Sequence, residues 1–363
     1  MIFLGKNIGD GRPAFIIFEA GINHQGKLDL ALKMVEIAKK CGADAIKFQK
    51  RDMETLYRAD TLKAPSDSGH NLGVYIPILK SCELSDADHK ILFKKCADEG
   101  IKYLCSPWDI NSVDFLEGLG VEGYKVPSAC FSDMFLMDRI AETGKPIIIS
   151  TGMHTETELD EFIPHYKDLF RDRLAIMHCV SSYPTANKDV NLGFMVKMKE
   201  KYGLPTGYSG HERGVPVTVA AVAMGANVIE RHFTLDRTLP GPDHAASLEP
   251  HGMEELVRHI RAVEEAMGDK KNVNRGEIMA RETLGKILVW GRNHKAGETV
   301  DKKSFKAMSP GYGIFVQEFW RYTDLDFVLV KDVIAGTPLS RNDIIKKNKW
   351  EEKREKGIES QAA

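Results

Sequence analysis

The 363-residue chain lacks several features that would place it in a special class of protein. No run approaches the ~20 apolar residues of a membrane-spanning helix. The N-terminus has no basic start followed by an apolar stretch, so we expect no signal peptide. Positive charge is not in excess either, since 50 basic and 52 acidic residues give a formal net charge of −2. We therefore expect a cytoplasmic protein that binds neither a membrane nor nucleic acid.

Closely spaced cysteine pairs are also missing. The sequence contains no CxxC pair, and its six cysteines are spread over the first half of the chain: Cys41, Cys82, Cys96, Cys105, Cys130 and Cys179. Disulfide frameworks are typical of short secreted chains, and structural zinc sites need closely spaced ligands. We therefore expect free thiols in a reducing compartment.

What the sequence does have is a regular alternation of apolar runs and amphipathic segments. Eight candidate strands, most of them apolar until their last positions, cover residues 15–20, 43–49, 102–106, 123–127, 146–150, 174–179, 206–209 and 227–232. Such runs are typical of strands buried on both faces. Helical patterns lie between them, and eight βα units in a row predict an α/β fold, a (βα)8 TIM barrel over residues 1–267. An open doubly wound sheet is the alternative, but it would usually contain fewer units.

The pattern changes after the barrel. Residues 268–284 are polar and predict a linker. Residues 285–350 contain short strand-like runs, and two segments, KILVWGRNHKAGETV and FVLVKDVIAGTPLS, are similar to each other. We expect a small β-rich domain with internal pseudo-symmetry there. The charged residues 351–363 predict a frayed tail.

Polar side chains concentrate at the last positions of the predicted strands or shortly after them. In a βα barrel all strand ends open onto the C-terminal face, where the active sites of such barrels lie. We therefore interpret these residues as one functional site: Glu19, Lys47, Gln49, Ser106, Lys125, Ser128, Ser150, Tyr183, Ser209, His211 and His232.

The residue types in this ring indicate its chemistry. Lysines and hydroxyls form a cationic pocket rich in donors, which suits a phosphate with a carboxylate nearby. His211 and His232 follow or end neighbouring strands, so they could share one divalent metal ion, although a lone histidine is more often a satisfied core residue. Glu19 could orient or deprotonate a metal-bound water.

Longer motifs surround these residues: FEAGINHQG, IKFQ, YKVPS, IISTGM, HCVSSYPT, GYSGHE, ERHFTLDRTLPGPDHAASLEP and a PGYGI turn near the C-terminus. In this order, over nearly the whole chain, they resemble the sialic acid synthase family of phosphoenolpyruvate-condensing nonulosonate synthases. The family includes N-acetylneuraminate, legionaminate and pseudaminate synthases. The resemblance implies a TIM barrel followed by an antifreeze-like (SAF, β-clip) domain, which caps the partner's barrel in a domain-swapped homodimer.

The resemblance also implies roles for single residues. His211 and His232 look like ligands of a divalent ion, Mn²⁺ or Mg²⁺, and Glu19 looks like the residue that positions the metal-bound water. Tyr183 and Asp243 look like contacts to the sugar acceptor. The residues that look like the phosphoenolpyruvate site are Lys47, Ser106, Lys125, Ser128, Ser150 and Ser209, with Gln49 at the edge.

Two positions depart from the family pattern, both on the acceptor side. Ser309 stands where many members carry Arg before the PG of the C-terminal turn, and Cys130 stands where many carry Glu. The acceptor therefore stays open, and N-acetylmannosamine is put in doubt. Residues 51–71 align poorly, so any contact from them also stays open.

The expected function is the metal-dependent condensation of phosphoenolpyruvate with an N-acylated amino-sugar aldehyde, a transferase reaction that forms a C–C bond and releases phosphate. One alternative is another phosphoenolpyruvate-condensing TIM-barrel enzyme, a 3-deoxy-sugar-acid synthase that acts on a phosphorylated aldose. Such an enzyme would need an extra cationic site for the phosphate of the acceptor. The other alternative is a non-catalytic glycan-binding homologue. The intact set of Glu19, Lys47, Lys125, His211 and His232 argues against it.

Overall fold

The computed structural model describes residues 1–63, 72–309, 312–323 and 326–355. These divide into two compact units, Met1–Gly268 and a second that begins at Asp269, one residue from the predicted barrel boundary. Residues 64–71 of the poorly aligned segment, Pro310 and Gly311 of the PGYGI motif, and 356–363 of the predicted tail lie outside the described residues. No helix in the described ranges is long and apolar enough to cross a membrane.

All eight predicted strands are present, with ends within two residues of those predicted, and form one parallel sheet rolled into a nearly closed barrel. Strands that follow each other along the chain are neighbours, and the last pairs with the first, which excludes the doubly wound alternative and confirms the TIM barrel. After a hairpin of β1 (Ile2–Phe3) and β2 (Lys6–Asn7), the barrel strands are β3 (Phe15–Glu19), β4 (Ala45–Lys50), β5 (Lys102–Pro107), β6 (Tyr124–Val126), β7 (Ile147–Ser150), β8 (Leu174–Cys179), β9 (Thr206–Gly210) and β10 (Val228–His232).

Helices surround the barrel, and side-chain caps fix where several of them begin. Ser85 and Thr155 each form a reciprocal capping box with the residue three positions later. The connection from β4 to β5 contains short helices that the sequence did not predict. The helices of this unit are α1 (Leu28–Lys40), α2 (Met53–Leu56), α3 (Ala59–Leu62), α4 (Leu72–Cys82), α5 (Asp86–Glu99), α6 (Ile110–Leu119), α7 (Met134–Glu142), α8 (Glu156–Phe170), α9 (Gly193–Tyr202), α10 (Pro216–Ala223) and α11 (Pro250–Ala266).

The inside of the barrel is apolar at one end and polar at the other. Alternate residues of each strand point inward, so β3 contributes Phe15 and Ile17 to the apolar end and Glu19 to the polar end. The hairpin, which the sequence analysis did not identify, covers the apolar end with Phe3 and Leu4, both buried. The remaining opening is the C-terminal face, where the predicted site lies.

The second unit has its own core and short antiparallel strands, as predicted. The two similar segments meet in it, since His294 and Val333 exchange both backbone hydrogen bonds, at 3.0 and 3.1 Å. The elements are α12 (Arg275–Leu284), β11 (Ile287–Trp290), β12 (Thr299–Val300), β13 (Phe305–Met308), α13 (Trp320–Thr323), β14 (Phe327–Leu329), β15 (Ile344–Lys346) and α14 (Lys347–Glu355).

Two of the predicted segments contain helix. Most of the predicted linker 268–284 is helix α12, which begins at a capping box between Asn274 and Glu277. All of its residues are exposed, and its larger apolar residues, Ile278, Met279 and Leu284, are not spaced three or four apart, so no apolar stripe marks the helix in the sequence. The predicted tail starts inside helix α14, because this helix continues past residue 350 to Glu355.

Candidate active site

The C-terminal face of the barrel opens into a cavity of about 530 Å³. The structure brings eleven of the twelve predicted site residues into its lining: Glu19, Lys47, Gln49, Lys125, Ser128, Ser150, Tyr183, Ser209, His211, His232 and Asp243. Ser106 is the exception, because it is fully buried and contacts the site through Lys47, whose Nζ donates to its Oγ at 3.2 Å. A neighbouring groove of about 860 Å³ contains none of the twelve.

Four buried charges form the floor of the cavity. Lys47 Nζ lies 3.2 Å from Glu19 Oε2 and 3.3 Å from Glu230 Oε2, and Lys125 Nζ lies 3.2 Å from Glu230 Oε1. Each of these side chains is at most 3% exposed. Charges this deep are tolerated only when they are paired, so the carboxylates hold the lysines in place.

Glu230 is a site residue that the sequence analysis missed. It lies two positions before His232 on β10, and residues two apart on a strand point to the same face. That spacing was the available signal. Arg51 and Trp108, which directly follow β4 and β5, also line the cavity and carried the same strand-end signal.

The two carboxyl groups on the floor differ in their affinity for protons. Burial raises the pKa of Glu19 to about 7, although Lys47 works against this. Burial would also raise the pKa of Glu230, but Lys125 and Lys47 outweigh it and hold this pKa well below its usual value. Glu19 is therefore suited to exchange a proton near neutral pH, whereas Glu230 stays ionised.

The predicted anion subsite contains hydroxyl groups with spare hydrogen-bonding capacity. Ser150 Oγ is buried and has no hydrogen-bond partner in the described ranges. Ser128 Oγ accepts from the backbone N–H of Gly152 at 3.0 Å, and Ser209 Oγ donates to Glu230 at 3.1 Å. A Cβ on Gly152 would come 2.8 Å from Ser128 Oγ, so the close approach of this loop needs glycine. A ligand oxygen could therefore accept from Ser150 beside the two lysines.

The two histidines face each other across one side of the cavity, with ring centroids 5.3 Å apart. His211 Nδ1 lies 2.8 Å from the carbonyl oxygen of Val180, which can only accept, so in the neutral ring Nδ1 carries the proton and Nε2 has the lone pair. His232 Nδ1 is buried without a hydrogen-bond partner and lies 3.6 Å from Asp243 Oδ2. Burial and the neighbouring His211 and Lys47 hold the pKa of His232 well below its usual value.

These features fit a divalent metal ion. The lone pair on His211 Nε2 and the unpartnered ring nitrogen of His232 are donors that such an ion can use, and the carboxylates nearby favour positive charge. Among the described residues, no group of three His, Cys, Asp or Glu side chains has metal-binding spacing. The two histidines would therefore be the main protein ligands, and water or substrate oxygens would complete the shell.

Aromatic and polar side chains form the mouth of the cavity. The Tyr183 ring packs on His211 with centroids 4.1 Å apart, and the guanidinium of Arg51 lies 4.2 Å from the centre of the Trp108 ring. Arg51 also donates to Gln49, whose amide donates in turn to Glu19 Oε1 at 2.6 Å. Cys130 is buried behind the wall and does not line the cavity. The mouth is thus suited to a ligand with both apolar and hydroxyl groups.

Known proteins are similar to this chain over most of its length. The model of the NeuB family matches residues 34–272. The N,N'-diacetyllegionaminic acid synthase of Legionella pneumophila is 37% identical over 320 residues, which are 86% of this chain and 90% of that protein. The N-acetylneuraminate-9-phosphate synthase of Homo sapiens is 39% identical over 288 residues, 78% of this chain and 80% of that one.

A solved structure agrees in both sequence and fold. The N-acetylneuraminic acid (sialic acid) synthetase of Leptospira borgpetersenii, crystallised with citrate, is 33% identical with a TM-score of 0.68, and the alignment covers 78% of this chain and 96% of that one. The family match spans more than half of the chain, and each of the barrel motifs that resemble sialic acid synthases contributes residues to the lining of the cavity. The chain therefore belongs to the NeuB family, as its motifs predicted.

Proposed function

We propose that this protein is a nonulosonate synthase, which condenses phosphoenolpyruvate with an N-acylated amino-sugar aldehyde and releases phosphate. The observation that carries the proposal is the meeting of two buried lysines, two carboxyl groups and two histidines in one cavity of a NeuB-family barrel. We also propose that it works in the cytoplasm, because a reducing compartment suits its six free and buried cysteines.

Phosphoenolpyruvate binds on the floor of the cavity in this proposal. Lys47 and Lys125 contact its phosphate and carboxylate groups, and the unpartnered hydroxyl of Ser150 donates a further hydrogen bond. Because the lysines are already held by Glu19 and Glu230, little reorganisation is needed when the anion arrives. Positioning and electrostatics would therefore supply much of the rate.

His211 and His232 hold the proposed cofactor, Mn²⁺ or Mg²⁺. Such an ion, when bound, polarises the carbonyl of the open-chain acceptor aldehyde as a Lewis acid. The role of the two imidazoles is to fix its place beside the floor of the cavity, and Tyr183 and Asp243 orient the acceptor above them.

The reaction forms two bonds, one from C3 to the aldehyde carbon and one from C2 to a water oxygen, and it breaks the C2–O bond to phosphate. The C=C electrons of phosphoenolpyruvate form a bond from C3 to the aldehyde carbon, and the aldehyde oxygen takes up a proton. Positive charge then develops at C2, near the ionised Glu230, and a water adds there while Glu19 accepts its proton. The C2–O bond to phosphate finally breaks, phosphate leaves with the remaining proton of the added water, and the water oxygen stays as the keto group of a nine-carbon 2-keto acid. The proton that Glu19 accepts replaces the one that the aldehyde oxygen took up.

The sharpest test of the function is phosphate release from phosphoenolpyruvate with a panel of acceptors. The cationic side chains that line the described part of the cavity, Lys47, Lys125 and Arg51, are all paired with carboxylates, so none is free for a second phosphate. We expect kcat/KM for N-acetylmannosamine or a 2,4-diacetamido sugar to exceed that for the phosphorylated form of the same sugar by about tenfold or more. If arabinose 5-phosphate is the best acceptor, the protein is a 3-deoxy-sugar-acid synthase. If phosphoenolpyruvate releases no phosphate with any acceptor of the panel, the protein is the non-catalytic glycan-binding homologue.

We further propose a homodimer in which residues 285–350 close the cavity of a second copy. These residues correspond to the SAF domain that the resemblance to sialic acid synthases implies. Water must be kept away from the charge that develops at C2, and closure over the mouth would do this. Apolar side chains available for such contacts are exposed at Phe135 and Met153 and, on helix α12, at Met279 and Leu284.

Complementation between two inactive chains tests the swap. We mix a His232→Ala chain, which has the cap but a defective barrel, with a chain that ends at residue 284, which has an intact barrel but no cap. In a mixed dimer the intact barrel can receive the cap of the other chain. Activity several-fold above that of either chain alone is expected, measured as phosphate release. Native mass spectrometry must show mixed dimers. Mixed dimers without recovered activity would mean that the cap acts within one chain, and full activity of the truncated chain by itself would mean that the cap is not needed.

A further inference from the structure

The two histidines lie where the pairing between their strands stops. The ladder between β9 and β10 ends at the pair Gly210 and Arg231. His211 lies one residue beyond this pair, and His232, the last residue of β10, pairs with Glu19 on the other neighbouring strand, β3. The paired ladder of β9 and β10 therefore does not include His211 itself.

The side chain of Arg231 adds a connection between the segment after His211 and the strand of His232. It is fully buried on the face of β10 opposite to His232. Its Nη1 donates to Glu212 Oε1 and to the carbonyl oxygen of Gly214, both at 2.8 Å, and its Nη2 donates to the carbonyl oxygen of Glu212. The chain directly after His211 is thus tied to the residue directly before His232.

Glu212 is also held by its neighbours on β9 and α10. The Tyr208 hydroxyl donates to Oε2 at 2.7 Å, and Thr218 Oγ1 donates to Oε1 at 2.9 Å. A Cβ on Gly210 would come 2.7 Å from Glu212 Oε2, so the carboxylate packs tightly against the backbone. Both oxygens are occupied, and the carboxylate has no room to turn.

A buried ion pair of this kind adds little net stability, because desolvation of the two charges offsets most of their attraction. What the pair supplies is a fixed geometry, because the planar guanidinium donates hydrogen bonds only in fixed directions. We propose that Arg231 and Glu212, assisted by Tyr208, are positioning residues that set the separation of the His211 and His232 rings and thereby the metal affinity of the site. The inference rests on the proposed function, because it requires that the histidines bind the ion.

The test compares Mn²⁺ affinity among full-length variants, measured by calorimetry on metal-free protein. Arg231→Lys keeps the charge but loses the planar guanidinium with its two Nη donors, and we expect this variant to bind Mn²⁺ about 10–100-fold more weakly. Tyr208→Phe removes one hydroxyl, and we expect a smaller loss of several-fold. In both variants, the Mn²⁺ concentration for half-maximal activity should rise by the same factor while kcat at saturating Mn²⁺ is largely retained.

Tyr166→Phe is the matched control, since it also removes a buried tyrosine hydroxyl. This hydroxyl donates to the carbonyl oxygen of Phe131 and contacts neither His211 nor His232. It should lower Tm but leave Mn²⁺ affinity unchanged. Unchanged Mn²⁺ affinity in Tyr208→Phe and Arg231→Lys would overturn the inference, and Tyr208→Phe decides alone if Arg231→Lys does not fold. If the parent protein binds neither Mn²⁺ nor Mg²⁺, the proposed cofactor is wrong and the inference falls with it.

Discussion

His211→Ala is expected to lower metal-dependent phosphate release by on the order of 10³-fold or more, because a Lewis acid supplies several kcal/mol to such a reaction. The His211 ring lies at the cavity wall and its hydrogen bond goes to the carbonyl of Val180, so its removal should leave the barrel folded. The measurement is phosphate release together with the metal content of the purified protein. Chelation of the parent protein should give the same loss, and added Mn²⁺ or Mg²⁺ should restore it.

His165→Ala is the control for this variant, because His165 is exposed on α8 and does not line the cavity. It should keep full activity and full metal content. Full activity of the parent in chelator, with metal content measured as zero, would remove the Lewis-acid role from the proposal.

Lys125→Met should weaken phosphoenolpyruvate binding about 10–150-fold, since a hydrogen bond to a charged group contributes about 1.5–3 kcal/mol. The variant should still fold, because Glu230 keeps its ion pair with Lys47 at 3.3 Å and is not left as an isolated buried charge. Calorimetric titration with phosphoenolpyruvate, in the absence of acceptor, measures the effect directly.

Lys102→Met provides the comparison for Lys125→Met. Lys102 begins β5, at the end of the barrel away from the cavity, and pairs with Glu122 at 2.7 Å on the surface. Its replacement should leave phosphoenolpyruvate affinity unchanged. Equal affinity in Lys125→Met and the parent would show that the anion binds elsewhere.

Local patterns were sufficient to predict the barrel. Strands buried on both faces are apolar along their length, and this property is visible in a short window such as 174–179, where the predicted and observed ends agree. The alternation of strand and helix then leaves few topologies. Helix α12 was missed for the same reason, because an exposed helix such as Arg275–Leu284 has no apolar stripe to reveal it.

The site could be predicted as a set of residues but not as an arrangement. Strand ends in a parallel barrel share one face, so Lys47, Lys125 and His232 could be grouped from their sequence positions alone. That Glu230 lies between the two lysines depends on distances across the barrel, from β10 to β4 and to β6. No local pattern encodes such distances.

By itself, the sequence determined the order of the elements, the polar face of the barrel and the membership of the NeuB family. Only the tertiary structure decided which charges pair, which carboxyl group binds protons more tightly, and how Arg231 ties the segment of His211 to the strand of His232. The physical reason is that hydrophobic periodicity acts over a few residues of chain. Ion pairing and desolvation act between side chains that only the closed barrel brings together.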